Sequence, residues 1–169
     1  MIGDRAFVRV RRAGIPDCEE LANVFRDSWR HAYTGIIPRL HLEQLIQARG
    51  PDWWKKSVKS TGHLLILEAS DKIVGYATCG PARRNTRHRG EIFELYLTPV
   101  YQGIGLGEHL FEACRAQLDV DRLQGLVVWA LADNNSACDF YWRRGGRPVA
   151  QTKEMFGQSQ LLKIGYGWT

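Results

Sequence analysis

Long apolar runs are missing from this 169-residue sequence. The strongest, Leu64, Leu65, Ile66 and Leu67, is far too short for a membrane-spanning helix, which needs about 20 residues. The stretch from Met1 to Arg5 also lacks the apolar core of a secretory signal, so the expected setting is cytoplasmic, with no membrane partner. Cysteine is scarce: Cys18, Cys79, Cys114 and Cys138 are widely separated and form no C-x-x-C pair. The five histidines give no H-E-x-x-H spacing, so four free thiols and no structural metal are expected. Low-complexity segments and internal repeats are absent as well, leaving one domain, residues 1–169, as the expected organisation.

What is present suits a folded protein with one substantial core: 44% of residues are hydrophobic and 24% charged. The net charge of +5 raises the question of nucleic acid, yet no basic helix or RNP-like aromatic pattern accompanies it. Arg83, Arg84, Arg87 and Arg89 do cluster with His88 in one loop. Such a run reads as a solvated loop, or more sharply as a mobile arm that attracts an anion.

Hydrophobic spacing orders the elements. A first strand is expected near residues 7–10, then a helix opened by Pro16 and carrying Leu21, Val24, Phe25 and Trp29, ending near Gly35. A second helix follows Pro38, and Pro51 reopens a third that bears Trp53 and Trp54. Residues 64–69 and 73–80 read as a hairpin, residues 91–98 as a strand stopped by Pro99, and residues 106–118 as a helix with a clear apolar stripe. Residues 126–132 form an apolar run fit for a strand covered on both faces. Asp133, Asn134, Asn135 and Ser136 supply caps for a helix with Ala137, Phe140 and Tyr141, and strands near 149–153 and 161–166 close the chain. The expected class is mixed α/β: a central twisted mixed sheet of about seven strands, flanked by helices.

The most informative segment joins the apolar strand Leu95, Tyr96, Leu97 to a glycine-rich turn, Gln102, Gly103, Ile104, Gly105, Leu106, Gly107, that opens a helix. Glycines let backbone N–H groups approach an anion, and a helix start adds unsatisfied donors and a positive dipole end. A P-loop needs Gly-Lys-Ser/Thr, but Glu108 follows Gly107, so the turn does not read as that of a nucleoside triphosphatase. The dinucleotide pattern G-x-G-x-x-G fails too, because these glycines fall at every second position with no βαβ unit before them.

The turn does fit Q/R-x-x-G-x-G/A through Gln102, Gly105 and Gly107, and so resembles the pyrophosphate loop of the GNAT superfamily of acyl-CoA-dependent N-acetyltransferases. The element order resembles that family over nearly the full length, with motif-level matching confined to about residues 91–145. The resemblance implies that acetyl-CoA is the cosubstrate, with no metal. Its pyrophosphate would meet backbone N–H groups from Gln102 through Gly103, Ile104, Gly105 and Leu106 to Gly107. The pantetheine arm would pair with the main chain of Leu95 and Leu97, around Tyr96, as an added strand does.

Acetyl transfer also needs a base for the amine and an acid for the departing thiolate. Glu91 and Glu94 are the carboxylates on the strand, and alternation sends them to opposite faces unless a bulge intervenes. The resemblance favours Glu91, whose spacing to Gln102 matches the glutamate of histone-acetylating members, with Glu94 second. Ribosomal-protein N-terminal acetyltransferases instead carry the base five residues before the motif asparagine, a position filled here by Trp129. Tyr141, seven residues after Asn134, has the spacing of family tyrosines that act as general acid. A helical tyrosine beside Phe140 is otherwise a packing residue. Asn134 would bond pantetheine or cap its helix. Where the family commonly continues with Gly-Phe, this chain has Gly145, Gly146 and Arg147.

Trp29 and Tyr33, with Arg30, could line the acceptor side, although aromatics at helical spacing more often pack a core. Glu43 and the Trp53, Trp54 pair are weaker candidates there. The acceptor class expected is a small-molecule amine. Its rivals are a protein N-terminus or lysine, a non-catalytic acyl-CoA-binding regulatory domain and, last, a nucleic acid held by the arginine loop. A homodimer is an open assembly state.

Overall fold

The computed structural model describes residues 7–60, 62–84 and 87–169. The segment Met1 to Arg5 and the centre of the arginine loop, Asn85 and Thr86, lie outside the described residues. The elements follow the expected order. Strand β1 (Val8–Arg12) leads through a 3₁₀ turn to helices α1 (Cys18–Tyr33), α2 (Arg39–Ala48) and α3 (Pro51–Val58). Strands β2 (His63–Ala69), β3 (Lys72–Pro81) and β4 (Gly90–Leu97) come next, then α4 (Leu106–Val120), β5 (Leu126–Leu131), α5 (Asn135–Arg143), β6 (Arg147–Phe156) and β7 (Ser159–Trp168).

All seven strands form one sheet in the order β1-β2-β3-β4-β5-β7-β6. Every pairing is antiparallel except β4 with β5. Alternation in β2 shows how the sheet is clothed. Leu65 and Leu67 join Leu110, Phe111, Cys114 and Leu118, the stripe of α4, whereas Leu64 and Ile66 join Leu21, Phe25 and Trp54 of α1 and α3. Helix α2 closes one end, where Leu42 packs with Tyr33, Ile37 and Leu131. All four cysteines are free thiols. No helix among the described residues is long and apolar enough to cross a membrane.

Three boundaries differ from the expectation, each for a local reason. Ser70 and Asp71 both adopt positive φ, +51° and +66°, so the hairpin turn takes two residues and Lys72 belongs to β3. Strands β6 and β7 are longer than their patterns suggest, because β6 is an edge strand exposed along most of its length and hydrophobic alternation is muted there. The third difference bears on the site. Thr78 faces Glu94 and Cys79 faces Ile92, which leaves Phe93 without a counterpart. This bulge restores the phase that alternation would break, so Glu91 (opposite Gly80) and Glu94 lie on the same face of the sheet.

Candidate active site

Strands β4 and β5 are registered only over residues 90–92 and 126–128, ahead of the bulge. Beyond it β4 stays paired with β3 up to Leu97, and β5 with β7 up to Leu131, while the two neighbours diverge. The wedge between them is a cleft of about 760 Å3. Leu95, Tyr96 and Leu97 form one wall, and Asn134, Ala137, Phe140 and Tyr141 the other. The β4 edge inside this cleft has backbone groups with no strand partner on the β5 side.

The glycine turn closes the cleft's mouth. Gly103 and Gly105 have φ of +77° and +84°, and a β-carbon added to either would meet nothing within 4 Å. Glycine is needed here for conformation, and the space in front of the turn is open. Helix α4 starts directly after Gly105 with no side-chain cap, so its first N–H groups are left for an external acceptor. Gln102 turns inward instead: its Nε2 donates to the Leu97 carbonyl at 2.9 Å, bracing the strand end against the turn.

Arg144 stands at the same mouth. Its guanidinium stacks 3.6 Å from the Phe140 ring centroid and donates to the Phe140 carbonyl at 3.1 Å. Its Nε is buried without a hydrogen-bond partner among the described residues. An orphaned charged donor, an uncapped helix start and an open glycine cradle together suit a diphosphate.

On the β5 side, Asn134 Oδ1 accepts from the Ala137 N–H at 3.2 Å, so it caps α5 and faces the cleft at once. Tyr141 is 5% exposed and lines the cleft. Burial pushes its phenol pKa well up, so the hydroxyl keeps its proton through neutral and mildly alkaline pH. That hydroxyl makes no hydrogen bond among the described residues.

The two glutamates sit on the α1 and α3 side, and neither lines the cleft. Glu91 is 1% exposed. It accepts from the Arg83 backbone N–H at 3.0 Å and from the Arg83 guanidinium at 2.7 and 3.2 Å, so its carboxylate is already fully engaged. Glu94 receives Arg49 Nη1 on both oxygens, at 2.8 and 2.9 Å, and the Tyr76 hydroxyl at 3.0 Å. Arg49 is held between rings, 4.3 Å from the Trp53 centroid and 4.6 Å from that of Phe25.

Trp29 and Tyr33 stand behind the lining rather than in it. Trp29 Nε1 donates to the Tyr76 hydroxyl at 3.2 Å, and the Tyr33 and Tyr96 hydroxyls are hydrogen-bonded to each other. Burial is the main cause pushing the Tyr33 pKa up, to about 12. The α1 residues that do line the cleft are Ser28, His31 and Ala32, which sequence reasoning missed. Their place follows from helix phase: 28, 31 and 32 share one face. Of the turn residues, Ile104 points outward at 66% exposure and Leu106 packs against the core, so those two could serve only through backbone N–H groups.

Two arginines of the loop, Arg83 and Arg84, make contacts while staying exposed. Arg83 holds Glu91, and Arg84 lies 4.9 Å over the Trp129 ring with a long bond, 3.5 Å, to Thr152. Among the described residues no group of three or more His, Cys, Asp or Glu is placed to hold a metal.

Comparison with known proteins agrees with this layout. A family model for the acetyltransferase (GNAT) family matches residues 19–146. The uncharacterised N-acetyltransferase YuaI of Bacillus subtilis is 30% identical over 163 residues, covering 95% of this chain and 92% of that protein. A spermidine N(1)-acetyltransferase of Thermoplasma acidophilum is 23% identical over 144 residues, 82% of this chain and 87% of that protein. Among solved structures, the PaiA N-acetyltransferase of Thermoplasma acidophilum, in complex with coenzyme A, superimposes with a TM-score of 0.76. It shares 19% identity and covers 94% of this chain and 98% of its own, a likeness of fold. The chain belongs to the GNAT acetyltransferase family and is an acyltransferase.

Proposed function

We propose that the protein transfers an acetyl group from acetyl-CoA directly to the primary amine of a small molecule. The observation that carries this reading is the cleft itself: a β4 edge with no strand partner on the β5 side leads from an open glycine cradle to a phenol hydroxyl with no hydrogen-bond partner among the described residues. Acetyl-CoA, when bound, supplies a thioester whose acyl carbon an amine can attack. The residues of the turn, Gln102 to Gly107, would hold the pyrophosphate by backbone N–H groups, with Arg144 Nε as a charged donor. Leu95, Tyr96 and Leu97 would pair their main chain with the pantetheine arm, and a β4 N–H there would polarise the acyl oxygen. Tyr141 would give its proton to the departing sulfur.

For the amine proton we favour Glu94 over Glu91. Glu91 is sealed beneath Arg83, whereas Glu94 belongs to the aromatic group of Tyr76, Tyr96 and Trp29, and Tyr96 reaches the cleft. Since neither carboxylate lines the cleft, the proton must travel by water to reach it. His31, which does line it, is the competing acceptor of that proton. A small amine is supported by the carboxylates along the cleft and by the spermidine acetyltransferase among the relatives. Dependence on acetyl-CoA makes the cytoplasm the working compartment.

The test is acetyl-CoA-dependent thiol release against a panel of polyamines, amino acids and peptides. Turnover with small amines is expected, with Glu94→Gln lowering kcat far more than Glu91→Gln. Preferential turnover of peptides would replace the acceptor class. Binding of CoA without any acceptor-dependent release would point to a regulatory binding domain. A kcat lost in His31→Ala and kept in Glu94→Gln would move the base to α1.

A further inference from the structure

A second cavity, about 400 Å3, lies at the end of the sheet where β4 and β5 begin and β7 ends. Arg87, His88, Arg115, Arg147, Gly167 and Trp168 are among its lining. Three arginines from three separate elements thus line one cavity, and against them its lining sets no Asp or Glu and a single carboxylate, that of the terminal residue Thr169. Arg11, Arg30, Arg49 and Arg83 each hold a carboxylate. Among the described residues Arg87, Arg115 and Arg147 hold none.

Their positions are built rather than incidental. Arg147 stacks 3.8 Å from the Trp142 ring and donates to the carbonyls of Trp142 and Gly146 at 3.0 and 2.8 Å. Arg115 is half-buried on α4 and lies 5.9 Å from the Phe111 ring centroid. His88 is buried, and a β-carbon on Gly167 would come within 2.9 Å of its Nε2, so the floor closes only around glycine. Burial and the Arg87 charge hold His88 below the ordinary histidine range, which keeps the ring neutral near pH 7 and spares the cluster a fourth positive charge.

Like charges gathered at a concave surface repel one another until an anion compensates them. We propose that this cavity binds a small phosphate-bearing anion, with Arg87, Arg115 and Arg147 as its charged donors. Three forked donors around a concave site match the several acceptor oxygens of a phosphomonoester. A cavity of about 400 Å3 with no basic helix running away from it favours a small ligand over a polynucleotide track. The site is separate from the cleft but shares a wall with it. Trp168 donates to the Arg144 carbonyl at 2.9 Å and packs edge-on against Tyr141, 6.0 Å between ring centroids.

The test begins by titrating CoA into the protein, which reports on the acetyl-donor reading by itself, and then adds inorganic phosphate to the CoA-saturated protein in a calorimeter. Saturable binding of one phosphate per chain is expected. Arg115→Gln and Arg87→Gln should each weaken it about tenfold, with CoA affinity and melting temperature unchanged. Arg87 is exposed, so its variant keeps the test valid should Arg115→Gln impair folding. Absence of saturable phosphate binding overturns the proposal, as does binding indifferent to both substitutions. Duplex RNA binding that depends on these arginines while phosphate alone does not saturate also overturns it, in favour of a nucleic-acid surface.

Discussion

Tyr141→Phe separates a proton donor from a packing residue, because the structure assigns the ring and the hydroxyl to different tasks. The ring lies among Phe111, Phe140, Tyr166 and Trp168, with centroids 5.3 to 6.4 Å away, and phenylalanine keeps all of those contacts. The hydroxyl has no hydrogen-bond partner among the described residues, so its removal strands no donor or acceptor. Stability should therefore stay within about 0.5 kcal/mol of the parent, a shift of no more than a few degrees in Tm.

The rate should fall much further. General acid catalysis contributes about 10²- to 10⁴-fold. A thiolate is a tolerable leaving group, its conjugate acid having a pKa of about 8.5, so the loss should lie at the low end, about 100-fold in kcat. The affinity for CoA should hardly change, since phosphate and pantetheine are held elsewhere. The assay is steady-state thiol release with the best amine acceptor, alongside CoA titration and thermal melts. A kcat within threefold of the parent would refute the proton-donor role and leave Tyr141 a core residue. A fall in kcat accompanied by a Tm loss of many degrees would refute the claim that its hydroxyl is structurally idle.

Three further outcomes follow from the same geometry. Gly105→Ala forces a β-carbon onto a residue with φ of +84°, which costs about 1–2 kcal/mol, and projects a methyl into the cradle; CoA affinity by calorimetry should fall at least about tenfold. Arg83→Ala leaves the buried Glu91 carboxylate with only the backbone N–H at position 83; because Arg83 is partly solvated, the loss should be modest, about 2 kcal/mol by chemical denaturation, and Glu91→Gln in the same chain should restore most of it. Tyr33 has its pKa raised from 10 to about 12, so the folded state keeps a proton that the unfolded state releases; this contribution, about 3 kcal/mol, is intact below pH 10 and lost as pH rises to 12. Melts from pH 9 to 12 should show that decline, and Tyr33→Phe should make it shallower.

The order of elements is legible because it rests on local rules: apolar spacing, the stops at Pro99 and Gly145, the cap at Asn134. The donor side of the site is legible for a related reason, since positive φ at Gly103 and Gly105 leaves a mark in residue type. The bulge at Phe93 leaves none, with no glycine or proline to betray it, and it alone decides that Glu91 and Glu94 share a face. The partners of those glutamates are invisible for another reason. Arg49 reaches Glu94 across 45 residues of sequence, a pairing that only the packing of α2 and α3 against the sheet creates. His31 and Arg144 carry no motif at all; one enters the cleft by helix phase, the other by stacking on Phe140.

The acceptor side can still be narrowed by asking which of its charges are unspent. Glu94 is matched by Arg49, and Glu91 by Arg83, so neither carries free negative charge toward the cleft. Along the cleft, Asp139 is paired with Arg143 at 3.0 Å, and Glu108 lies 4.0 Å from Arg144. Asp133, at the end of β5, lines the cleft with no side-chain partner among the described residues. It is therefore the carboxylate with most freedom to attract a protonated amine before that amine loses its proton. If the acceptor is a cationic small molecule, Asp133→Asn should raise its KM about two- to fivefold with kcat unchanged, because an exposed charge pair is worth about 0.5–1 kcal/mol. The effect should shrink as salt is added, since the pair is exposed. An unchanged KM at low ionic strength would mean that the acceptor is not drawn in by its charge, and a peptide or neutral amine would then become the better reading.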